Sequence, residues 1–275
     1  MAYENLGVAA VDYMPCRYGK SKLLFRGPKR KLEPPYVAVL GGTETYGKFV
    51  ELPYPELTEG VLDMPVVNLG CINAGIDVFS NDRTVVEICS KAEATVIQVT
   101  GAQNMSNRFY AVHPRRNDRF LRASNLLKTI YREVDFTEFH FTRHLLTTLR
   151  DASGDKFAML EQELKEAWVA RMKTLVSKID SRVVLLWLGA HSPDIPSTDT
   201  SHGSDPLFVD RAMMDEVAPF VEDVVEVIVS PDEIAEGFAG LAFNEFEEAQ
   251  AREMLGTVAH ARAASALNRA LRNLL

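Results

Sequence analysis

Cysteine is scarce in this chain of 275 residues, and the three present, Cys16, Cys71 and Cys89, are odd in number. That excludes a disulfide framework or a zinc ribbon and fits a reducing compartment. Positive charge is also short: 38 acidic against 30 basic residues leave a net −8, so no global field draws the chain to nucleic acid or to an anionic bilayer. No apolar run approaches bilayer length, and charged residues such as Asp12, Arg17 and Lys20 interrupt the opening stretch where a signal-peptide core would lie. The expectation is a cytoplasmic protein that binds neither nucleic acid nor membrane.

What is present is apolar, at 47%, in short runs rich in valine, isoleucine and leucine. Five such runs, at 36–40, 66–69, 95–100, 182–188 and 224–229, are continuous rather than alternating, as strands covered on both faces require. Helix-compatible stretches such as 82–91 and 206–221 lie between them. This predicts a three-layer αβα doubly wound parallel sheet of about five strands, with flavodoxin-like order 2-1-3-4-5, in one domain over 1–275. Residues 1–35 form an amino-terminal arm. The third and fourth runs are about eighty residues apart, far beyond an ordinary crossover. A helical insertion is therefore expected over 117–181, with Leu160, Leu164, Trp168, Met172 and Leu175 as its clearest stripe and Asp151 to Asp155 as an interhelical turn. It could cover the site or make a homo-oligomer contact. An alanine- and leucine-rich helix is expected over 250–275.

Ligands of doubly wound sheets sit beyond the carboxyl ends of the strands. After the first, second and third runs stand Gly41-Gly42-Thr43-Glu44-Thr45-Tyr46-Gly47, Asn68-Leu69-Gly70-Cys71-Ile72-Asn73-Ala74-Gly75 and Gly101-Ala102-Gln103-Asn104. Their order resembles the SGNH (GDSL-type) hydrolase superfamily, whose blocks are Gly-Asp-Ser, Asn-x-Gly, Gly-x-Asn-Asp and a late Asp-x-x-His. The resemblance implies an ester hydrolase or acyltransferase without a cofactor or metal. Thr43 stands in the serine place as nucleophile and His260, before the last helix, as base; Gly70 with Gln103 or Asn104 supplies the oxyanion donors. Gly42 and Thr257 stand where the family has aspartates. Threonine crowds the attack and stiffens χ1, so slow chemistry is expected. The alternative reading of Gly41-Gly42-Thr43 is a purely structural tight turn whose glycines permit positive φ and whose threonine caps the next helix. The openings Pro-Cys-Arg-Tyr-Gly and Phe-Arg-Gly-Pro resemble those of a bacterial protein family, which implies no activity of its own.

Asn107, Arg108, Arg115 and Arg116, within a cluster that also holds His113 and Arg119, form a candidate clamp for an anionic group of a small-molecule or carbohydrate-like substrate. The same cluster would also serve a non-catalytic binding protein. Alternatively the arginines pair with acids of the insertion such as Glu133, Glu161 and Glu163. Arg17, Arg26 and Lys29 to Lys31 would join the clamp if the arm folds over the site. Cys71 is a second candidate nucleophile, Glu44 could orient a base, and Asp199-x-x-His202 is a reserve dyad. His140 and His144 have the i, i+4 spacing of metal ligands but no third partner is evident, and Tyr18-Gly-Lys-Ser21 precedes the first strand and so cannot be a phosphate loop.

Overall fold

In the computed structural model, which describes residues 11–195, 200 and 205–275, seven strands form two sheets. The strands are β1 (Val37–Gly41), β2 (Val66–Gly70), β3 (Ala94–Gln98), β4 (Tyr110–His113), β5 (Arg116–Ala123), β6 (Arg182–Gly189) and β7 (Asp223–Ile228). Five are parallel in the order β2-β1-β3-β6-β7, the expected doubly wound arrangement. Every residue of β1, β2 and β3 is buried, which explains why these strands lack a polar alternation.

Eleven α-helices are described: α1 (Thr43–Tyr46), α2 (Tyr54–Leu62), α3 (Ile76–Ser80), α4 (Arg83–Ser90), α5 (Asn125–Ile130), α6 (Thr142–Ala152), α7 (Gly154–Val176), α8 (Arg211–Val217), α9 (Pro231–Phe238), α10 (Glu248–Ala251) and α11 (Gly256–Leu274). Successive strand residues point to opposite faces, so each strand feeds two cores. Val37, Val39, Val96, Leu186 and Val227 pack under α2 and α11. Ala38, Leu40, Leu69, Ile97 and Trp187 pack on the other side with α4, α7 and α8. The stripe Leu160, Leu164, Trp168, Met172 and Leu175 lies wholly in that second core.

The insertion opens differently from the expectation. Residues 116–123 form β5, which pairs antiparallel with β4, rather than a helix. Register shifts between Ala111 and Val112 and between Val112 and His113 leave Asn117, Phe120 and Ala123 buried, three residues apart. The bulged hairpin thereby imitates a helical spacing. The closing helix is also shorter than expected: a turn separates α10 from α11 at Gly256, whose φ of +81° and close approach to Gly237 suit glycine. Ser153 closes α6 and caps α7, accepting from the Lys156 N–H, which sets the expected interhelical turn. Among the described residues no helix is long and apolar enough to cross a membrane.

The described part of the arm packs against the sheet and against the turns that follow β1 and β2. Tyr18, Leu23 and Phe25 are buried in the second core, and Cys16 pairs with Phe25 as an isolated bridge. Arg26 is buried beneath the turn after α1, where it donates to the carbonyls of Gly47 at 2.7 Å, Val50 at 2.8 Å and Glu51 at 2.6 Å.

Candidate functional site

The sheet order reverses between β1 and β3, and the chain beyond those two strands builds a cavity of about 400 Å³. Gly41 ends β1 where a Cβ would come within 1.9 Å of Thr45 Oγ1 and 2.5 Å of Gln98 Oε1. Gln98, the last residue of β3, holds the following turn: its Oε1 accepts from Gly42 N at 3.0 Å and from Thr45 Oγ1 at 2.6 Å. Because Thr45 gives its one hydroxyl proton to Gln98, it accepts from the Tyr54 hydroxyl, 2.6 Å away. Gln98 and Tyr54 were not among the residues singled out from sequence. A glutamine ending the otherwise apolar run Ala94-Thr-Val-Ile was the available signal for the first.

Gln98 thus presents Thr43, first residue of α1, on the cavity wall. Thr43 Oγ1 accepts from the Asn73 N–H at 3.0 Å and donates to Asn73 Oδ1 at 3.2 Å. Asn73 has a φ of +55°, a left-handed conformation that asparagine tolerates, and its Nδ2 donates to Asp118 Oδ2 at 3.2 Å. The second-loop amide that reaches Thr43 therefore belongs to Asn73. Gly70 is packed against the backbone of Thr45 and Tyr46, gives its N–H to Asn68 Oδ1 at 2.9 Å, and does not line the cavity.

Gln103 and Asn104 both line the cavity beside Thr43. Gln103 Nε2 donates to Asp205 Oδ1 at 3.0 Å, leaving its second amide hydrogen, and Tyr110 OH holds its carbonyl at 2.7 Å. Asn104 ties two loops to the insertion, donating to Asn73 O at 3.2 Å and accepting from Thr142 Oγ1 at 2.7 Å. Arg143 closes the wall with a 2.6 Å bond to Asp205 Oδ2. Trp168 of α7 donates to Thr100 O at 2.8 Å, so the insertion anchors the third loop from below.

His260 lies elsewhere. It is 0% exposed and does not line the cavity. Its Nδ1 accepts from the Tyr54 N–H at 3.1 Å, and its ring stacks on that of Tyr54 with centroids 5.9 Å apart. Accepting at Nδ1 puts the neutral ring's proton on Nε2. Nε2 stands 3.3 Å from Glu44 Oε2 but off hydrogen-bond alignment, and it has no hydrogen-bond partner. Glu44 Oε1 accepts from the Leu255 N–H at 3.3 Å, and Glu44 itself lines the cavity next to Thr43. No hydrogen bond joins Thr43 to His260; of the two neighbours Thr43 and Glu44, it is Glu44 that reaches the histidine. Burial, the largest cause, pushes the Tyr54 hydroxyl far above its ordinary range, and the Glu44 charge adds to it while the Thr45 bond opposes.

The arginine cluster is spread over the β4–β5 hairpin, and none of Asn107, Arg108, Arg115 and Arg116 lines the cavity. Asn107 caps its own turn, accepting from Phe109 N and Tyr110 N. Arg108 pairs with Glu163 at 2.6 Å, one of the insertion acids considered as its alternative partner. Arg115 and Arg116 are exposed, their backbone N–H groups bonded to His113 Nδ1, and Arg119 stacks on Phe141 at 4.1 Å. Cys71 is buried, and burial pushes its thiol up to about 12, which takes it out of the running as a nucleophile. His144 lines the cavity beside Phe141, whereas His140 is exposed; among the described residues no group of three metal-ligating side chains converges. Asp199 and His202 lie outside the described residues. Among the described residues, the ionisable side chains that line the cavity are the carboxylates of Glu44, Asp118, Asp205 and Glu253, the guanidinium of Arg143, paired with Asp205, and the imidazole of His144.

The chain belongs to the family described as Domain of unknown function (DUF6473), whose model matches residues 1–275. No curated protein matches the chain. Among solved structures it is similar to a carbohydrate esterase family 2 enzyme with a carbohydrate-binding domain from Corynascus thermopiles (Myceliophthora fergusii), at 10% identity over 90% of this chain and 69% of that one, with a TM-score of 0.43. It is also similar to the Bacillus subtilis protein YxiM, at 12% identity over 87% of this chain and 57% of that one, TM-score 0.39. A third is a gut microbial diltiazem-metabolizing enzyme, at 10% identity over 86% and 46% of the two chains, TM-score 0.39. The fold class itself stands on the strand order of this chain.

Proposed function

We propose that the cavity is the site of an ester hydrolase or acyltransferase that acts on an acylated, uncharged polyhydroxy compound of carbohydrate type, with Thr43 as nucleophile. The observation that carries the reading is the placement of the Thr43 hydroxyl on the cavity wall at the switch point of the sheet, 3.0 Å from the Asn73 N–H. Thr43 Oγ1 attacks the ester carbonyl carbon, the bond to the alcohol oxygen breaks, and water or a second hydroxyl then takes the acyl group. The Asn73 N–H, released from Thr43, and the second amide hydrogen of Gln103 would meet the oxyanion. The lining supports the substrate class: carboxylates and the amides of Asn73, Gln98, Gln103, Asn104 and Gln250 exchange hydrogen bonds with hydroxyl groups. The excess of carboxylates opposes an anionic ligand.

Incubation with acetylated sugars and short-chain aryl esters tests this. Wild-type protein should release the acid, and Thr43→Ala should lower the rate about a thousandfold or more; equal rates would refute Thr43 as nucleophile. One observation favours a second reading, binding without turnover: Thr43 both donates to and accepts from Asn73 and touches no imidazole. On that reading sugars raise the melting temperature of wild-type and Thr43→Ala protein alike, and no acid appears.

A further inference from the structure

We infer that Glu44 is the general base of this site and that His260 acts through it as a positioning residue, so that the order runs from hydroxyl to carboxylate to imidazole. The inference rests on the reading of Thr43 as nucleophile. A base needs a free lone pair facing the proton it takes. His260 has none to offer: Nδ1 is occupied by the Tyr54 N–H, Nε2 carries the proton, and the ring is sealed beneath Tyr54. Such an imidazole can only donate, and the atom before its Nε2 is Glu44 Oε2 at 3.3 Å.

Glu44, unlike His260, stands on the cavity wall with Thr43; one of its carboxylate oxygens accepts from the Leu255 N–H at 3.3 Å, the other stands 3.3 Å from His260 Nε2, and a carboxylate has lone pairs beyond these. The loose alignment at Nε2, which has no hydrogen-bond partner, leaves room for that contact to tighten when substrate shifts the carboxylate. Around Glu44 the titratable and charged groups are His260 of α11, Tyr54 of α2 and Glu253 before α11, with Asp118, Asp205, Arg143 and His144 also on the cavity wall.

The step balances without a further reactant. The Thr43 proton passes to the Glu44 carboxylate as Oγ1 bonds to the acyl carbon, and Glu44 then protonates the departing alkoxide. In the second half Glu44 takes a proton from water, whose oxygen bonds to the acyl carbon, and returns it to Thr43 Oγ1 as the carboxylic acid leaves. No group is oxidised or reduced.

Glu44→Gln keeps the shape and removes the basic oxygen. With an acetylated sugar as substrate, kcat should fall at least about a hundredfold with KM little changed. Nitrogen-15 spectra of labelled histidine supply a readout independent of turnover. His260 should show its proton on Nε2, and that resonance should move in Glu44→Gln and stay in Thr43→Ala. Near wild-type turnover in Glu44→Gln beside an inactive Thr43→Ala overturns Glu44 as base and leaves Thr43 standing. Full activity in Thr43→Ala overturns the nucleophile reading instead. A proton on Nδ1, or a His260 resonance indifferent to Glu44→Gln, overturns the pairing whatever the rates.

Discussion

The methyl group that distinguishes Thr43 from a serine stiffens its χ1, and the pair of bonds to Asn73 fixes the same torsion from outside. The hydroxyl is therefore held in place, and the attack proposed for it would have to break one of those bonds. Cys71, 28 residues from Thr43 in sequence and next to Gly70, has the opposite fate. Its Sγ faces the carbonyls of Leu24 and Leu69 inside the core, and burial raises it and Cys89 to about 12 from an ordinary 9.0. The folded state thus holds these protons more tightly than the unfolded chain. Their effect on stability is constant below pH 9 or so, and stability declines as the pH rises from there toward 12. In native protein at pH 8 a disulfide reagent should label Cys71 and Cys89 no faster than the chain unfolds globally, whereas denatured protein should yield all three thiols. Rapid native labelling of Cys71 would contradict its burial.

At the scale of elements, the turn after β1 is secured from beneath by the amino-terminal arm. Arg26 brings a charge into the core and distributes its donors over the carbonyls of Gly47, Val50 and Glu51, with Glu56 3.7 Å away. Burial lowers its affinity for its proton, and the Glu56 charge opposes that shift. Arg26→Met should cost about 3 kcal/mol or more in urea unfolding, since it orphans buried carbonyls and the Glu56 carboxylate together. A loss below about 1 kcal/mol would mean that the arm merely lies against the turn. The strands were legible in sequence because both their faces are buried, and α7 because its stripe keeps the helical period over 23 residues. The β4–β5 hairpin was not, because its bulges replace the two-residue alternation by a spacing of three and its turn, Pro114-Arg115, lacks the usual Asn-Gly or Asp-Gly signal. The arginines were legible as a cluster, but a sequence run does not tell on which side of a hairpin each side chain stands.

Across the whole molecule, the two cores fix a rigid sheet whose carboxyl edge carries loops from β1, β2, β3 and β6, and the insertion and the 250–255 segment complete the wall. The post-strand glycine turns marked that edge in the sequence, and Thr43, Gln103 and Asn104 do line the cavity. The links between them were hidden: Gln98, Asn73 and Glu44 act through contacts that join residues distant in sequence, and only folding brings Glu44 to His260, 216 positions away by number. The central claim is that acyl groups pass through the Thr43 hydroxyl, and intact mass with peptide mapping tests it most directly. After brief mixing with p-nitrophenyl acetate and an acid quench, wild-type protein should carry one acetyl group on the peptide that contains Thr43, and Thr43→Ala should carry none there. Turnover of the ester with no acyl group on that peptide, or the same adduct in Thr43→Ala, would contradict the account.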